Sequence, residues 1–205
     1  MKALLLNGSP HRAGCTFTAL NEVARALREC GVESEIFQLG EGAVRGCTGC
    51  GACAAKGACI FEGDPVNAFI QKMRSADALV IGSPVYYAAP NGALLALLDR
   101  AFYAAGRDMR LKPGAAVVSA RRAGTTASLD VLNKYFTISQ MPIASSSYWN
   151  MVHGNTPDEV RLDAEGMQVM RTLGRNLAWL IKSICVAGLT PPEIETPRAR
   201  TNFIR

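Results

Sequence analysis

The sequence predicts an α/β fold in which a central parallel sheet is covered by helices on both faces. Short, wholly apolar segments alternate along the chain with segments whose apolar residues recur at helical spacing. Apolar strands of this kind are typical of parallel sheets buried on both faces. The chain has 205 residues, and 49% of them are hydrophobic, which is enough for one core. We therefore predict a single domain over residues 1–205.

The first two strands flank an amphipathic helix. Residues 3–6 (ALLL) are a short apolar strand, and residues 17–30 carry the stripe of a surface helix. That stripe has the spacing i, i+3, i+4, i+7 at Leu20, Val23, Ala24 and Leu27. Gly31 occupies the position of a C-cap glycine. Residues 33–39 (ESEIFQL) are predicted as the second strand.

The middle of the chain repeats this alternation. A helix is predicted over residues 64–76, with Asp64 as its N-cap and Pro65 at its first position. Residues 77–87 (DALVIGSPVYY) are predicted as a third strand that runs into a loop, and residues 91–102 as a helix.

The last third of the chain contains two more strands. Residues 114–120 are predicted as the fourth strand, residues 125–139 as a helix and residues 141–148 as the fifth strand. A long helix starts near Asp163, and its apolar face consists of Met170, Leu173, Leu177, Leu180, Ile181 and Ile184. The tail from about residue 190 is predicted to be extended.

Five strands in this arrangement fit a flavodoxin-like three-layer sandwich with strand order 2-1-3-4-5. Ligands of such sheets bind beyond the carboxyl ends of the strands. The loop over residues 7–16 offers Ser9, flexible glycines and a helix N-terminus, which together would bind an anion such as a phosphate. It has no Walker A sequence, and an ordinary turn between strand and helix is the alternative.

Two further strand-end loops carry residues suited to a flat ring. Pro84, Tyr86 and Tyr87 follow the third strand, although the tyrosines could instead cap the core. The segment 119–126 combines small residues with two arginines and a helix N-cap. Solvated surface charge is the alternative for these arginines.

Four cysteines are crowded into an insertion at about residues 45–63, which we call the Cys loop. They are spaced C-x₂-C-x₂-C-x₅-C at Cys47, Cys50, Cys53 and Cys59. Three explanations stay open from the residues alone: a [4Fe–4S] cluster, a zinc ion, or no metal. Zinc ligands more often come as two separated pairs, whereas closely repeated C-x₂-C is typical of ferredoxin-like runs.

The net charge, the length of the apolar runs and the number of cysteines narrow the classes of partner and cellular location. The net charge is +5, but lysines and arginines are spread along the whole chain, so nucleic acid is not an expected partner. No apolar run approaches the roughly 18 residues of a membrane span. We expect a cytoplasmic protein, in which seven cysteines are not a disulfide framework.

Several stretches resemble the NADPH-dependent FMN reductase-like family of the flavodoxin superfamily: GSPHRAGCT, GSPVYYAAPNGALLALLDR, SARRAGTT and YWNMVHG. The resemblance implies that the first loop holds the FMN phosphate through Ser9, Gly14, Cys15 and Thr16, with a contribution from Arg12. It implies that the other two loops flank the isoalloxazine through Pro84, Val85, Tyr86, Tyr87, Ser119, Arg121 and Gly124. Cys15 and Ala123 depart from the family, which more often has Asn and Gly there.

The Cys loop is similar to the compact cysteine motif of iron–sulfur flavoproteins. This resemblance implies a [4Fe–4S] cluster on Cys47, Cys50, Cys53 and Cys59 that supplies single electrons to FMN. It also implies a homodimer or homotetramer, NAD(P)H or a ferredoxin-type protein as electron donor, and a small-molecule acceptor such as a quinone. No residue is assigned as a catalytic acid or base. A flavodoxin-type electron carrier and a zinc-loop interaction module are the alternatives, and the net positive charge weighs against the carrier.

Overall fold

The computed structural model describes residues 1–197 together with residues 199, 201 and 203. Its strands are β1 (Lys2–Asn7), β2 (Glu33–Gln38), β3 (Ala78–Tyr86), β4 (Ala89–Pro90), β5 (Gly114–Ala120) and β6 (Met151–His153). Its helices are α1 (Cys15–Glu29), α2 (Cys53–Lys56), α3 (Val66–Ser75), α4 (Gly92–Ala105), α5 (Thr125–Ile138), α6 (Pro157–Leu162) and α7 (Ala164–Ala187), with a 3₁₀ turn at Gly106–Met109.

Five parallel strands form the sheet in the order β2-β1-β3-β5-β6. The short β4 pairs with the end of β3 in an antiparallel hairpin. Apart from that hairpin strand, the observed order is the predicted 2-1-3-4-5. The predicted flavodoxin-like fold class is therefore confirmed.

The sheet is covered on both faces because successive side chains of each strand point to opposite sides. In β1, Leu4 and Leu6 pack in the layer formed with α3, α4 and α5, whereas Ala3 and Leu5 pack in the layer formed with α1 and α7. All four side chains are buried. Each fully buried leucine contributes about 1.5–3 kcal/mol, so both faces stabilise the fold.

The fifth strand lies later in the chain than the sequence pattern predicts. The predicted segment 141–148 touches the sheet through one isolated bridge, between Gly114 and Ile143, and the pairing strand is β6. Ser146 explains the difference, because its hydroxyl lies within hydrogen-bond distance of the backbone oxygen of Tyr148 and of Asn150 Oδ1, either of which can accept its single proton, and this stabilises a turn. The short helices α2 and α6 were not predicted either.

The carboxyl-terminal helix α7 packs mainly on α1 and ends at Ala187. The extended tail predicted from about residue 190 falls partly on residues 198, 200, 202, 204 and 205, which lie outside the described residues, and it stays a prediction. Among the described helices, none combines the length and the apolarity that crossing a membrane requires.

Candidate functional site

The three loops singled out by the sequence meet at the carboxyl edge of the sheet. The backbone N–H of Gly8, after β1, donates to the carbonyl of Gly82 in β3 at 2.8 Å. The hydroxyls of Thr16 and Ser119 share a hydrogen bond of 2.8 Å, which joins the first loop to the third. Both hydroxyls are buried, so these bonds hold the loops in one fixed arrangement.

The start of α1 has the properties of an anion site. Its N-cap, Gly14, provides no side-chain cap, and its first turn contains no acidic residue. The first N–H groups of the helix and the positive end of its dipole are therefore available to an anion, and Arg12, two residues before the N-cap, is exposed. Ser9 is buried, and its Oγ accepts a hydrogen bond from the backbone N–H of His11 at 3.2 Å. The geometry suits a phosphate bound mainly by backbone N–H groups.

A buried polar network that the sequence analysis missed supports this first loop. Asn7 is fully buried; its Nδ2 donates to Gln38 Oε1 at 2.6 Å, and its Oδ1 accepts from the N–H of Ser9 at 3.2 Å. Gln38 Nε2 in turn donates to the carbonyl of Ser9 at 2.7 Å. The sequence does contain a signal for this network, because β1 and β2 each end in a residue with an amide side chain.

The second loop is a tight hairpin between β3 and β4. Tyr87 and Ala88 are its two central residues, and both have positive φ values, 51° and 58°. A two-residue loop of this kind has the geometry of a type I′ turn, which residues other than Gly, Asn and Asp seldom adopt. Tyr86 is 43% exposed and Tyr87 fully exposed, so neither tyrosine caps the core. Both rings are available to a ligand, while Pro84 and Val85 are half-buried beneath them.

The third loop packs directly against this hairpin. Gly124 has φ 94°, and a Cβ atom at this position would lie 2.8 Å from Ala88 Cα and 3.0 Å from Val85 Cγ1. Only glycine fits both the backbone conformation and the close approach. Arg121 is exposed. The hairpin and the third loop thus form two adjoining walls at the sheet edge.

Asn91, which the sequence analysis did not assign to the site, ties the hairpin to the first loop. Its Nδ2 donates to the carbonyl of Gly8 at 2.8 Å, and its Oδ1 accepts from the N–H of Ala93 at 3.1 Å as the N-cap of α4. The sequence signal for this N-cap was an Asn-Gly pair at the start of an apolar helix. One side chain thereby couples the start of α4 to the first loop.

Cys15 lies at the first position of α1, where a helix dipole can activate a thiol. Burial nevertheless raises the pKa of the Cys15 thiol above its usual value. Its Sγ lies 3.8 Å from the carbonyl oxygen of Gly154. The thiol therefore fills the loop as a neutral group at physiological pH, and its backbone N–H is the part available to an anion.

The four cysteines of the Cys loop line one pocket, which is otherwise formed largely by apolar and aromatic side chains, among them Ile60, Phe61 and Tyr103. Cys47 and Cys50 are exposed, and Cys53 and Cys59 are half-buried. Gly49, Gly51 and Gly57 have positive φ values and allow the loop to turn between the cysteines. The backbone N–H of Gly49 donates to Cys47 Sγ at 3.5 Å.

The described side chains around this pocket are not arranged to hold a single metal ion. Tetrahedral zinc needs four donors at about 2.3 Å from one centre. Across residues 1–197, 199, 201 and 203, no three His, Cys, Asp or Glu side chains are close enough to hold one metal ion. A four-iron cluster binds each thiolate to a different iron atom, so its ligands lie farther apart. Four thiols around one pocket are the donor set for such a cluster.

A buried arginine also lines this pocket. Arg100, on α4, is 2% exposed and forms an ion pair with Asp64. Its Nε donates to Cys59 Sγ at 3.1 Å. Its terminal nitrogens donate to the carbonyls of Arg45 at 3.1 Å and of Phe61 at 3.0 Å. The sequence analysis missed Arg100, although its place three residues after Leu97, within an apolar helix, was a signal.

Sequence comparison finds a family model and relatives that match most of the chain. The family model of NADPH-dependent FMN reductase matches residues 1–156. An iron–sulfur flavoprotein of Methanocaldococcus jannaschii is 30% identical over 192 residues, which cover 90% of this chain and 99% of the relative. An iron–sulfur flavoprotein of Methanosarcina thermophila is 25% identical over 189 residues, 90% of this chain and 97% of the relative.

Structure comparison shows the same fold in solved proteins. The NAD(P)H:quinone oxidoreductase of Methanothermobacter marburgensis superposes with a TM-score of 0.62 at 18% identity. The superposition covers 86% of this chain and 96% of that protein. At this identity the likeness concerns the fold alone.

Proposed function

Because this chain belongs to the NADPH-dependent FMN reductase family, we propose that it holds FMN in its three converging loops and catalyses the NAD(P)H-dependent reduction of a small-molecule acceptor such as a quinone. Family membership makes it a flavin-binding oxidoreductase. The observation that carries the finer proposal is that a helix N-terminus without a side-chain cap and two adjoining loop walls lie together at one edge of the sheet.

The first loop is assigned to the FMN phosphate. The N–H groups of Gly14, Cys15 and Thr16 are the donors, and Arg12 adds a positive charge in solvent. Ser9 holds the loop in shape through its hydrogen bond with His11. The Thr16 hydroxyl is engaged with Ser119, so Thr16 contributes its backbone N–H and the link to the third loop.

The hairpin and the third loop are assigned to the isoalloxazine. Pro84, Val85 and Tyr86 come from one wall, and Ser119, Arg121 and Gly124 come from the other. Tyr87 stands fully in solvent at the tip of the hairpin, where it can cover a ring or an incoming substrate. When bound, FMN supplies the hydride and electron chemistry, so the chain needs no acid or base of its own. The residues of the chain would anchor the phosphate, orient the isoalloxazine and leave one side of the ring open to the substrate.

The Cys loop is assigned to a [4Fe–4S] cluster ligated by Cys47, Cys50, Cys53 and Cys59. Two observations support this proposal: the four thiols line one pocket, and the chain is similar over nearly its full length to proteins named iron–sulfur flavoproteins. The cluster would supply single electrons, which makes a ferredoxin-type protein a second class of donor.

A homodimer or homotetramer in the cytoplasm is the expected form of the enzyme.

The first experiment is a spectrum of protein purified without oxygen, with FMN, iron and acid-labile sulfide assayed on the same sample. We expect flavin bands with about four iron and four sulfide per chain. The matched control is Cys185→Ser, which removes an exposed thiol outside the Cys loop, set beside Cys53→Ser. Flavin without iron or sulfide, also after anaerobic reconstitution, would reject the cluster and leave the flavin proposal standing.

The second experiment measures steady-state oxidation of NADH and of NADPH with a quinone acceptor. An enzyme turns over many equivalents of nicotinamide, whereas an electron carrier is reduced once and stops. Absence of flavin from both the isolated and the FMN-soaked protein would reject the flavin site.

A further inference from the structure

We propose that Arg100 is a positioning residue of the Cys loop that holds Cys59 through a charge-assisted hydrogen bond and thereby raises the reduction potential of the cluster. The inference rests on the proposed function, because it concerns the group assigned to the four cysteines. It adds a residue on α4, outside the Cys loop, to the machinery of electron transfer.

The contacts of Arg100 show a side chain built into this place. Its guanidinium binds the carbonyls of Arg45 and Phe61, which lie on opposite sides of the cysteine segment. It thereby closes the loop at its base. Asp64 compensates the buried charge, and the side chains of this ion pair are 1% and 8% exposed. A buried, paired arginine whose other three bonds are all directed at one loop keeps that loop in a single conformation.

The contact with Cys59 is more than packing. Arg100 Nε donates to Cys59 Sγ at 3.1 Å, whereas Cys47 receives only a backbone N–H at 3.5 Å in an exposed part of the loop. Asn67 additionally bonds both backbone groups of Cys59, each at 2.9 Å, so the thiol points at the guanidinium from a fixed position. Cys59 is thus the most firmly held of the four thiols.

The electrostatic consequence follows from charge. Adding one electron to a cluster makes it more negative, and hydrogen bonds to its sulfurs are among the factors that set its potential. A donor that carries positive charge stabilises the reduced form more than the oxidised form. Arg100 should therefore raise the one-electron potential.

The test compares midpoint potentials in reconstituted protein by anaerobic titration with dithionite, followed by electron paramagnetic resonance. The central variant is Arg100→Gln combined with Asp64→Asn, which removes both charges of the ion pair and leaves the net charge unchanged. We expect roughly a tenfold lower equilibrium constant for one-electron reduction, which is a shift of about 59 mV to lower potential. Arg100→Lys keeps the charge but cannot make the same set of bonds, so we expect a smaller shift.

Control variants separate a change in the midpoint potential of the cluster from a loss of folded, cluster-binding protein. Arg107→Gln removes an exposed arginine close to the end of α4 and should leave the potential unchanged. Asp64→Asn alone removes the ion pair but keeps the donor to Cys59, so the potential should not fall. A purely structural role of Arg100 would lower the iron content of the double variant while its remaining clusters kept the wild-type potential.

Two results would overturn the inference, and they are distinguishable. A wild-type potential in the double variant, with four iron per chain or fewer, would reject the role of Arg100 and leave the cluster in place. Failure of the wild-type protein to bind iron and sulfide would reject the proposed cluster, and the inference with it. The FMN content of each sample, read from the same spectrum, reports separately on the flavin proposal.

Discussion

Replacing Gly124 with alanine is expected to destabilise the protein by about 3 kcal/mol and to weaken FMN binding. Two effects add at this position. A non-glycine residue in the left-handed region costs roughly 1–2 kcal/mol. The new Cβ would also meet Ala88 Cα at 2.8 Å, and such overpacking costs typically about 1–3 kcal/mol. The atom in the way belongs to the backbone of a tight turn, so it cannot move aside as a side chain would.

The assay is equilibrium unfolding in urea, followed by circular dichroism. With an m-value of about 2 kcal/mol per molar, a loss of 3 kcal/mol lowers the midpoint by about 1.5 M. Under native conditions, a titration with FMN should show a higher dissociation constant for Gly124→Ala, because Ala88 has to shift away from the wall it forms.

Two glycine controls separate the contributions. Gly40 has φ 89° with nothing within 4 Å of an added Cβ, so Gly40→Ala reports the backbone cost alone. Gly42 has neither a positive φ nor a close neighbour, and Gly42→Ala should change stability by less than about 0.5 kcal/mol. If Gly124→Ala were no more destabilising than Gly40→Ala, the contact between the third loop and the hairpin would be refuted.

Three further predictions test other parts of the structure. Asn91→Ala should cost about 1–2 kcal/mol in urea unfolding and weaken FMN binding, whereas Asn91→Asp, which keeps the N-cap acceptor, should retain most of the stability. Equal losses of stability in the two variants would contradict the N-cap role of Asn91 Oδ1, and wild-type FMN binding in Asn91→Asp would argue against a role for the amide nitrogen in the first loop. Cys53→Ser should lose iron and sulfide by chemical assay but keep FMN, and loss of both would mean that the two sites do not fold independently; Cys185→Ser should keep all three. Glu22 forms an ion pair with Arg25, and the hydrogen bond within this pair is the main reason that the pKa of Glu22 lies below its usual value. The Glu22 carboxylate therefore contributes stability above about pH 4.3, and this stability is lost as the pH falls through the lower pKa of the folded state. Glu22→Gln should therefore be less stable than wild type by roughly 1 kcal/mol at pH 7, with a difference that shrinks in strongly acidic urea titrations; a constant difference would contradict the ion pair.

Local patterns in the sequence determined the fold class and most elements. The apolar run of β1 and the helical spacing in α1 each arise from neighbours within a few residues, so they can be read without the fold. The three strand-end loops were predicted for the same reason, since each lies directly after an apolar strand. The fifth strand was misplaced because the pattern of residues 141–148 did not reveal the turn at Ser146.

The contacts that make the site depended on pairs of residues far apart in the chain. Arg100 and Cys59 are separated by 41 positions, Asn91 and Gly8 by 83, and Thr16 and Ser119 by 103. No local spacing encodes such pairs, because they form only when the strands are ordered side by side and their ends meet at one edge. Local patterns were therefore sufficient to predict most elements, the first loop as an anion site and the group of four cysteines. The buried side chains that hold those loops together become visible only in the folded chain, because burying a polar or charged group requires partners supplied by other elements.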